Sequence, residues 1–258
     1  MKEVCIVVPV YNKNPYSWEV LSLQKLAEQC PEKYDICFVH PSSWTTEEYK
    51  VYDDIIYSKD TTRDTILHAT FDDTYFTSTT AYSSLLKNHE FYNRFTDFDY
   101  ILIYQTDCFA LDMNKLDKWV SQGFDYVGAP IITNQIDWTA APCCGNGGLS
   151  LRKVSKFLYI TQDDNVRRRV ESMDTKFVYY EDLYFCEGVT QFVYIDMPSW
   201  DICCSFAWDM NPDLLQEIGK KMPEIGIHAW TKNVIYWKDI LNIPDDIVND
   251  VICHENDK

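Results

Sequence analysis

Hydrophobic positions along this chain switch between two periods, and the switches mark its elements. Tyr100 to Tyr104 run apolar or aromatic without a break inside Asp99–Asp107, DYILIYQTD. Such a run predicts a strand buried on both faces, as at the centre of a parallel sheet. Glu3–Val10 has the same character and closes at Pro9-Val10-Tyr11-Asn12, where Pro and Asn turn the chain. Ser17–Gln29 then spaces Val20, Leu21, Leu23, Leu26 and Ala27 as a helix does, with Ser17 as N-cap and Glu19 in the first turn. Tyr34–His40 reads as the next strand and Tyr52–Tyr57 as a shorter one. Strand, helix and strand in that span predict a βαβ unit with parallel strands and a right-handed connection. Thr77–Phe95 reads as a helix broken near Asn88-His89 that leads into the central strand. Met113–Val120 is a further helix, Asp125–Pro130 a short strand and turn, and Thr133–Cys144 a loop carrying Trp138. Helical spacing returns at Val154–Tyr159, then in a charged stretch whose Arg167-Arg168-Arg169 forms a solvated face. Asn211–Lys220 and Val234–Ile240 are two more helices, and the acidic tail after Pro244 is expected to be peripheral. No repeat or low-complexity linker divides the chain, so one domain is expected, its second half completing the sheet.

Composition narrows the partners. At 258 residues, with 46% hydrophobic and 15% aromatic residues, the chain can bury a sizeable core. Its 18 Tyr and 8 Trp are the residue types that present flat faces to sugars as well as filling cores. A net charge of −17 repels nucleic acid and anionic lipid heads. It would repel a nucleotide too, unless a divalent cation intervened. The ten Cys include no C-x-x-C pair, which leaves a structural zinc site without spacing support. No apolar run approaches the roughly 20 residues of a membrane span, and the start, Met-Lys-Glu-Val, shows no leader. The expectation is a cytoplasmic protein with free thiols and no integral membrane segment.

Four stretches carry candidate chemistry. Ligands of open α/β sheets bind beyond the carboxyl ends of the strands, so Gln105-Thr106-Asp107 is placed to hold a cation or a hydroxyl. Alternatively, Asp107 caps the following helix. Gly145-Asn146-Gly147-Gly148-Leu149-Ser150-Leu151-Arg152 holds three of the eight glycines within four residues. It is either a loop pressed against a ligand or a tight turn before a strand, and it matches neither a Walker loop nor G-x-G-x-x-G. Glu181-Asp182, among aromatics in Phe177–Cys186, is either a desolvated general base or a pair of acids at a helix N-terminus. His228, in Gly226–Lys232, is either a ligand or a structural histidine.

In this order the motifs resemble a GT-A-type, nucleotide-sugar-dependent glycosyltransferase, and more closely a family carried as a domain of unknown function. The matching strings are VVPVYN from Val7, ILIYQTDCF from Ile101, FDYVGAP from Phe124, GNGGLSLR from Gly145, EDLYF from Glu181 and GIHAWTK from Gly226. The resemblance implies an α/β fold: a single GT-A (Rossmann-like) domain over 1–258 with a mixed, mainly parallel central sheet flanked by helices. A nucleotide-binding half would precede an acceptor and catalytic half at about residue 110.

Its implications for the site are specific. Asp107 matches the last acid of the family's D-x-D motif, with Gln105 in place of the first, and His228 matches a late metal ligand. Together they imply Mn²⁺, or Mg²⁺, on the donor diphosphate. Asp182 takes the role of base, with Glu181 the fallback, in an inverting transfer from a nucleotide sugar (a UDP-sugar first) to a glycan or other hydroxyl acceptor. Donor contacts are expected from Pro9, Val10, Tyr11, Asn12, Thr79, Thr80, Gln105, Thr106, Asp107, Asn146, Gly147, Gly148 and Lys232; Arg152 and Lys232 are each either a phosphate contact or a surface ion-pair partner, with Lys232 favoured for the phosphate. The competing readings are a nucleotidyltransferase, which would want a glycine after the first strand, and a non-catalytic sugar- or nucleotide-binding protein.

Overall fold

The computed structural model describes residues 2–131 and 145–256. The loop expected at Thr133–Cys144 lies outside them. The first half alternates strand and helix: β1 (Lys2–Pro9), α1 (Ser17–Gln29), β2 (Asp35–Pro41), α2 (Thr46–Tyr57), β3 (Leu67–Phe71), α3 (Thr79–Leu86), α4 (His89–Asn93) and β4 (Phe98–Tyr104). There follow β5 (Phe109–Ala110), α5 (Leu116–Ser121), β6 (Tyr126–Gly128), β7 (Leu149–Lys153), α6 (Val154–Thr161) and α7 (Asp164–Met173). The last third holds α8 (Lys176–Tyr179), α9 (Glu181–Leu183), α10 (Trp200–Phe206), β8 (Ala207–Trp208), α11 (Pro212–Glu217), β9 (Gly226–Ile227), α12 (Val234–Ile240) and α13 (Asp245–Asn256).

Six strands form the main sheet in the order β3-β2-β1-β4-β7-β6. β3, β2, β1 and β4 are parallel, while β7 runs antiparallel to both β4 and β6. The unbroken apolar runs have the reason expected for them. Val4, Ile6 and Val8 enter the core on one face of β1, with Tyr100, Leu102 and Tyr104 of β4. Cys5 and Val7, with Ile101 and Ile103, enter a second core on the other face. A strand covered on both sides has no polar face to alternate. A small second sheet, in the order β5-β9-β8, lies over a third cluster built on Trp208, Trp230 and Trp237.

Two expectations fail. Tyr52–Tyr57 is the end of helix α2, not a strand. Glu48 reaches back to the Thr45 N–H, and Tyr52, Ile55 and Ile56 form one buried helical face. The third parallel strand is β3 instead, whose polar and half-buried residues hide its period. The tail is also not peripheral. α13 packs on α1 and buries Val248 and Val251, and Ser17 Oγ donates to Asp250 Oδ2 at 2.7 Å. The helix break near Asn88 is as expected, with Asn88 Oδ1 capping α4 through the Glu90 N–H.

Candidate active site

The carboxyl end of β4 organises the site. Asp112, not Asp107, accepts from Asn114 N ahead of α5, so Asp107 does not serve as the helix cap. In the small sheet Phe109 pairs with Ile227, and Ile227 with Trp208. β5 is antiparallel to β9, and β8 is parallel to it. The chain entering β5 and the chain leaving β8 and β9 therefore share one edge, which places Asp107, two residues before β5, beside Asp209 and His228, which directly follow β8 and β9. Asp107 Oδ1 lies 3.4 Å from His228 Nε2, and Gln105 Oε1 lies 3.1 Å from the same nitrogen. Asp209 Oδ1 lies 3.0 Å from His228 Nδ1. Residues 121 positions apart in the chain (228 − 107) thus meet as the sequence reading required.

The charges interact accordingly. Burial alone would lower the basicity of the His228 imidazole, but Asp107 and Asp209 outweigh it and raise the value to about 10. Burial likewise disfavours ionised Asp107, and the His228 charge more than reverses this, so its carboxyl titrates below the usual range. Gln105 Oε1 and Asp107 Oδ1 both lie close to His228 Nε2, so an amide oxygen, a carboxylate oxygen and an imidazole nitrogen stand together, donor types that can hold Mn²⁺ or Mg²⁺. Among the described residues no three His, Cys, Asp or Glu side chains gather into a metal-holding cluster. The set here has two such side chains, completed by the amide.

The glycine loop closes against this centre. Gln105 N donates to Gly148 O at 2.9 Å, joining the end of β4 to the start of β7. A Cβ on Gly148 would collide with the His228 ring, and one on Gly147 with Glu181 Oε1. Close approach, rather than an unusual dihedral, therefore requires glycine at both positions.

The acidic pair divides. Glu181 is buried, and its Oε1 accepts from Arg152 Nη2 at 2.9 Å. Arg152 is fully buried, with its guanidinium carbon 5.1 Å and 5.5 Å from the Tyr126 and Phe157 ring centres. It also donates to Tyr92 Oη at 3.0 Å and to Gly147 O at 3.3 Å. Neither sequence reading of Arg152 describes this place: it anchors the glycine loop to the acidic pair from inside the core. Asp182 accepts from the Leu183 N–H at 2.7 Å. Burial, then the neighbouring Glu181 charge, raises its carboxyl to about 6.

A cavity of about 500 Å³ opens beside the trio, a size that accommodates a small-molecule ligand. Of the expected donor contacts, Pro9, Tyr11, Thr79, Gln105, Thr106, Asp107 and Lys232 line it. Val10 lies in the core and Asn12 turns to its own loop, accepting from Asn14 N. Thr80 is not among the lining residues; Asn146 and Gly148 stand at the trio, and Gly147 stands against Glu181, rather than on the cavity wall. Lys232 Nζ lies 3.5 Å from Glu255 of α13.

Several site residues escaped the sequence reading. Glu19 lies on the cavity wall, buried, accepting from Thr106 Oγ1 at 2.6 Å. Tyr16 and Trp18 stack at 4.4 Å, with His254 of α13 against both. Tyr82 places its buried hydroxyl on the same wall, beside Gln105. Asp209 had a faint signal: like His228, it directly follows a short apolar run.

The chain has the fold of the GT-A glycosyltransferases. It is similar in structure to a galactosyltransferase, LgtC, solved with donor and acceptor sugar analogs: TM-score 0.56, 11% identity, 87% of this chain and 86% of that one covered. It is also similar to the apo form of mouse xyloside xylosyltransferase 1, with TM-score 0.59, 8% identity, and 88% and 97% coverage. By sequence it belongs to the family described as protein of unknown function (DUF5672), whose model matches residues 65–228. No curated protein matches it in sequence. Among the described residues no helix is long and apolar enough to cross a membrane.

Proposed function

We propose that this protein is a metal-assisted glycosyltransferase that moves a sugar from a nucleotide-sugar donor to a hydroxyl acceptor. The observation that carries the reading is the meeting of Gln105, Asp107 and His228 beside the cavity, with Gly148 pressed against the His228 ring and Gly147 against Glu181. The fold of its structural neighbours supports it. Gln105, Asp107 and His228 would hold Mn²⁺ or Mg²⁺. When bound, the ion neutralises charge on the donor diphosphate and stabilises it as a leaving group.

The protein's own groups do the rest. Tyr11, 64% exposed at the cavity mouth, offers a face for the nucleobase. Lys232 turns from Glu255 to the diphosphate. Asp182 takes the proton of the acceptor hydroxyl as that oxygen bonds to the anomeric carbon, whose bond to the diphosphate oxygen breaks. A carboxylate raised to about 6 is ionised at neutral pH yet more basic than a solvated one, which suits a general base. Glu181, held by Arg152, positions the loop instead. Direct displacement by this base inverts the anomeric centre.

A screen of nucleotide sugars, UDP-sugars first, with and without Mn²⁺ tests the reading. Metal-dependent transfer, with an inverted anomeric proton by NMR, is the expected result. Retained configuration would remove Asp182 as the base, and binding without turnover of any donor would favour the non-catalytic reading.

A further inference from the structure

The two ring nitrogens of His228 have different surroundings. Nε2 faces Gln105 Oε1 and Asp107 Oδ1, while Nδ1 faces Asp209 Oδ1 at 3.0 Å. Asp209 is itself held. Its Oδ2 accepts from Asn146 Nδ2 at 2.9 Å, and Asn146 Oδ1 accepts from the Gly148 N–H at 2.9 Å. Because β8 and β9 are parallel, Asp209 and His228 leave the small sheet side by side, and His228 N donates to Trp208 O at 2.8 Å. Their side chains are only 12% and 13% exposed. A carboxylate engaged at both oxygens and shielded from water has little freedom to turn.

We propose that Asp209 is a positioning residue, which accepts the Nδ1–H of His228 and so keeps Nε2 aimed, as a ligand, at the point shared by Gln105 and Asp107. The proposal rests on the metal-assisted reading above. An imidazole nitrogen ligates only when it is bare, and the partner of the other nitrogen decides which one that is. Without an acceptor at Nδ1, the neutral ring divides between two tautomers and loses the contact that fixes its rotation. Asn146 then has a role beyond its turn: it ties the glycine loop to the carboxylate that orients the ligand.

The test is Mn²⁺ titration of the full chain by electron paramagnetic resonance, for wild type, Asp209→Ala, Asp209→Asn and Asp107→Asn. It is joined by ¹⁵N-histidine NMR with Cd²⁺ as a diamagnetic probe. Wild type should bind Mn²⁺ and D107N should lose it. D209A should bind roughly 10–100-fold more weakly, and D209N should fall between, since an amide oxygen still accepts the Nδ1–H. At sub-saturating Cd²⁺ the wild-type ring should carry its proton on Nδ1, and the D209A ring, released more readily from the metal, should show both tautomers in its unligated fraction. Should D209A not fold, the isosteric D209N and the tautomer signal decide. Wild-type affinity and a single tautomer in the Asp209 variants, with D107N still defective, would overturn the proposal and leave the metal reading standing. A wild-type chain that binds no Mn²⁺ would sink both.

Discussion

Replacing Asp182 by Asn should abolish transfer and make the protein more stable. Burial raises the Asp182 carboxyl from 3.8 to about 6. Keeping it ionised at pH 7 therefore costs the fold about 3 kcal/mol, at 1.36 kcal/mol per factor of ten. Asn keeps an oxygen for the Leu183 N–H but needs no ionisation, so D182N should recover about 2 kcal/mol of this. For a chain of this length that raises Tm by roughly 4–8 °C. The folded-state value lies above the unfolded one, so the stabilisation from the protonated carboxyl is full below about 3.8 and lost as pH rises through about 6. The gap between variant and wild type should therefore be widest at pH 7.5 and shrink to about a third of that by pH 5. Urea unfolding at the two pH values measures it, and transfer assays on the same samples should show a loss of roughly 10²–10⁴-fold. A variant no more stable than wild type, with a gap that ignores pH, would refute the raised carboxyl. A fully active variant would refute its role as base.

Further perturbations test other parts of the account. Wild-type kcat/KM should fall tenfold per pH unit below about 6 as Asp182 takes up its proton; a profile flat to pH 5 would place the base elsewhere. Arg152→Met leaves the Glu181 carboxylate buried without its partner and should destabilise by roughly 3–5 kcal/mol in chemical denaturation; a loss below ~1 kcal/mol would mean that water replaces the guanidinium. Gly148→Ala drives a methyl into the His228 ring, and should abolish Mn²⁺ binding in the same titration while far-ultraviolet circular dichroism stays native. Lys232→Met should raise the donor KM with little effect on the melting temperature, because the Lys232–Glu255 pair is half exposed and worth little to the fold.

The sequence made the main sheet legible where burial leaves a pattern. β1, β2 and β4 each carry a long apolar run because both faces are covered, and α1 and α12 have the expected bounds. β3 was missed because only Ala69 and Phe71 of its five residues are buried. Its place was assigned to Tyr52–Tyr57, whose short apolar run fits either period. The site was legible as strings, and Asp107 with His228 do meet. Their second neighbours were barely legible. Asp209 stands in no string, and it reaches His228 only because two-residue strands pair across 19 positions (228 − 209). Arg152 did leave a sign: it alternates with Leu149 and Leu151 on a strand, and a buried arginine requires a carboxylate. Nothing local identified that carboxylate as Glu181 rather than Asp182, so the pair's division of labour needed the fold. The part of α13 in the cavity wall was hidden by charge, since its few buried residues, Val248 and Val251, are one narrow stripe in an acidic helix.

The most direct test of the central claim is the melting temperature of wild type and Asp107→Asn with UDP, in Mn²⁺ and in EDTA. At a hundred times its Kd a ligand of the native state adds about 2.7 kcal/mol, roughly 5–10 °C here. The account predicts that increase for wild type with Mn²⁺ alone, and none for D107N under either condition. An equal increase in EDTA, or one that survives in D107N, would contradict a metal-held diphosphate at Asp107 and His228.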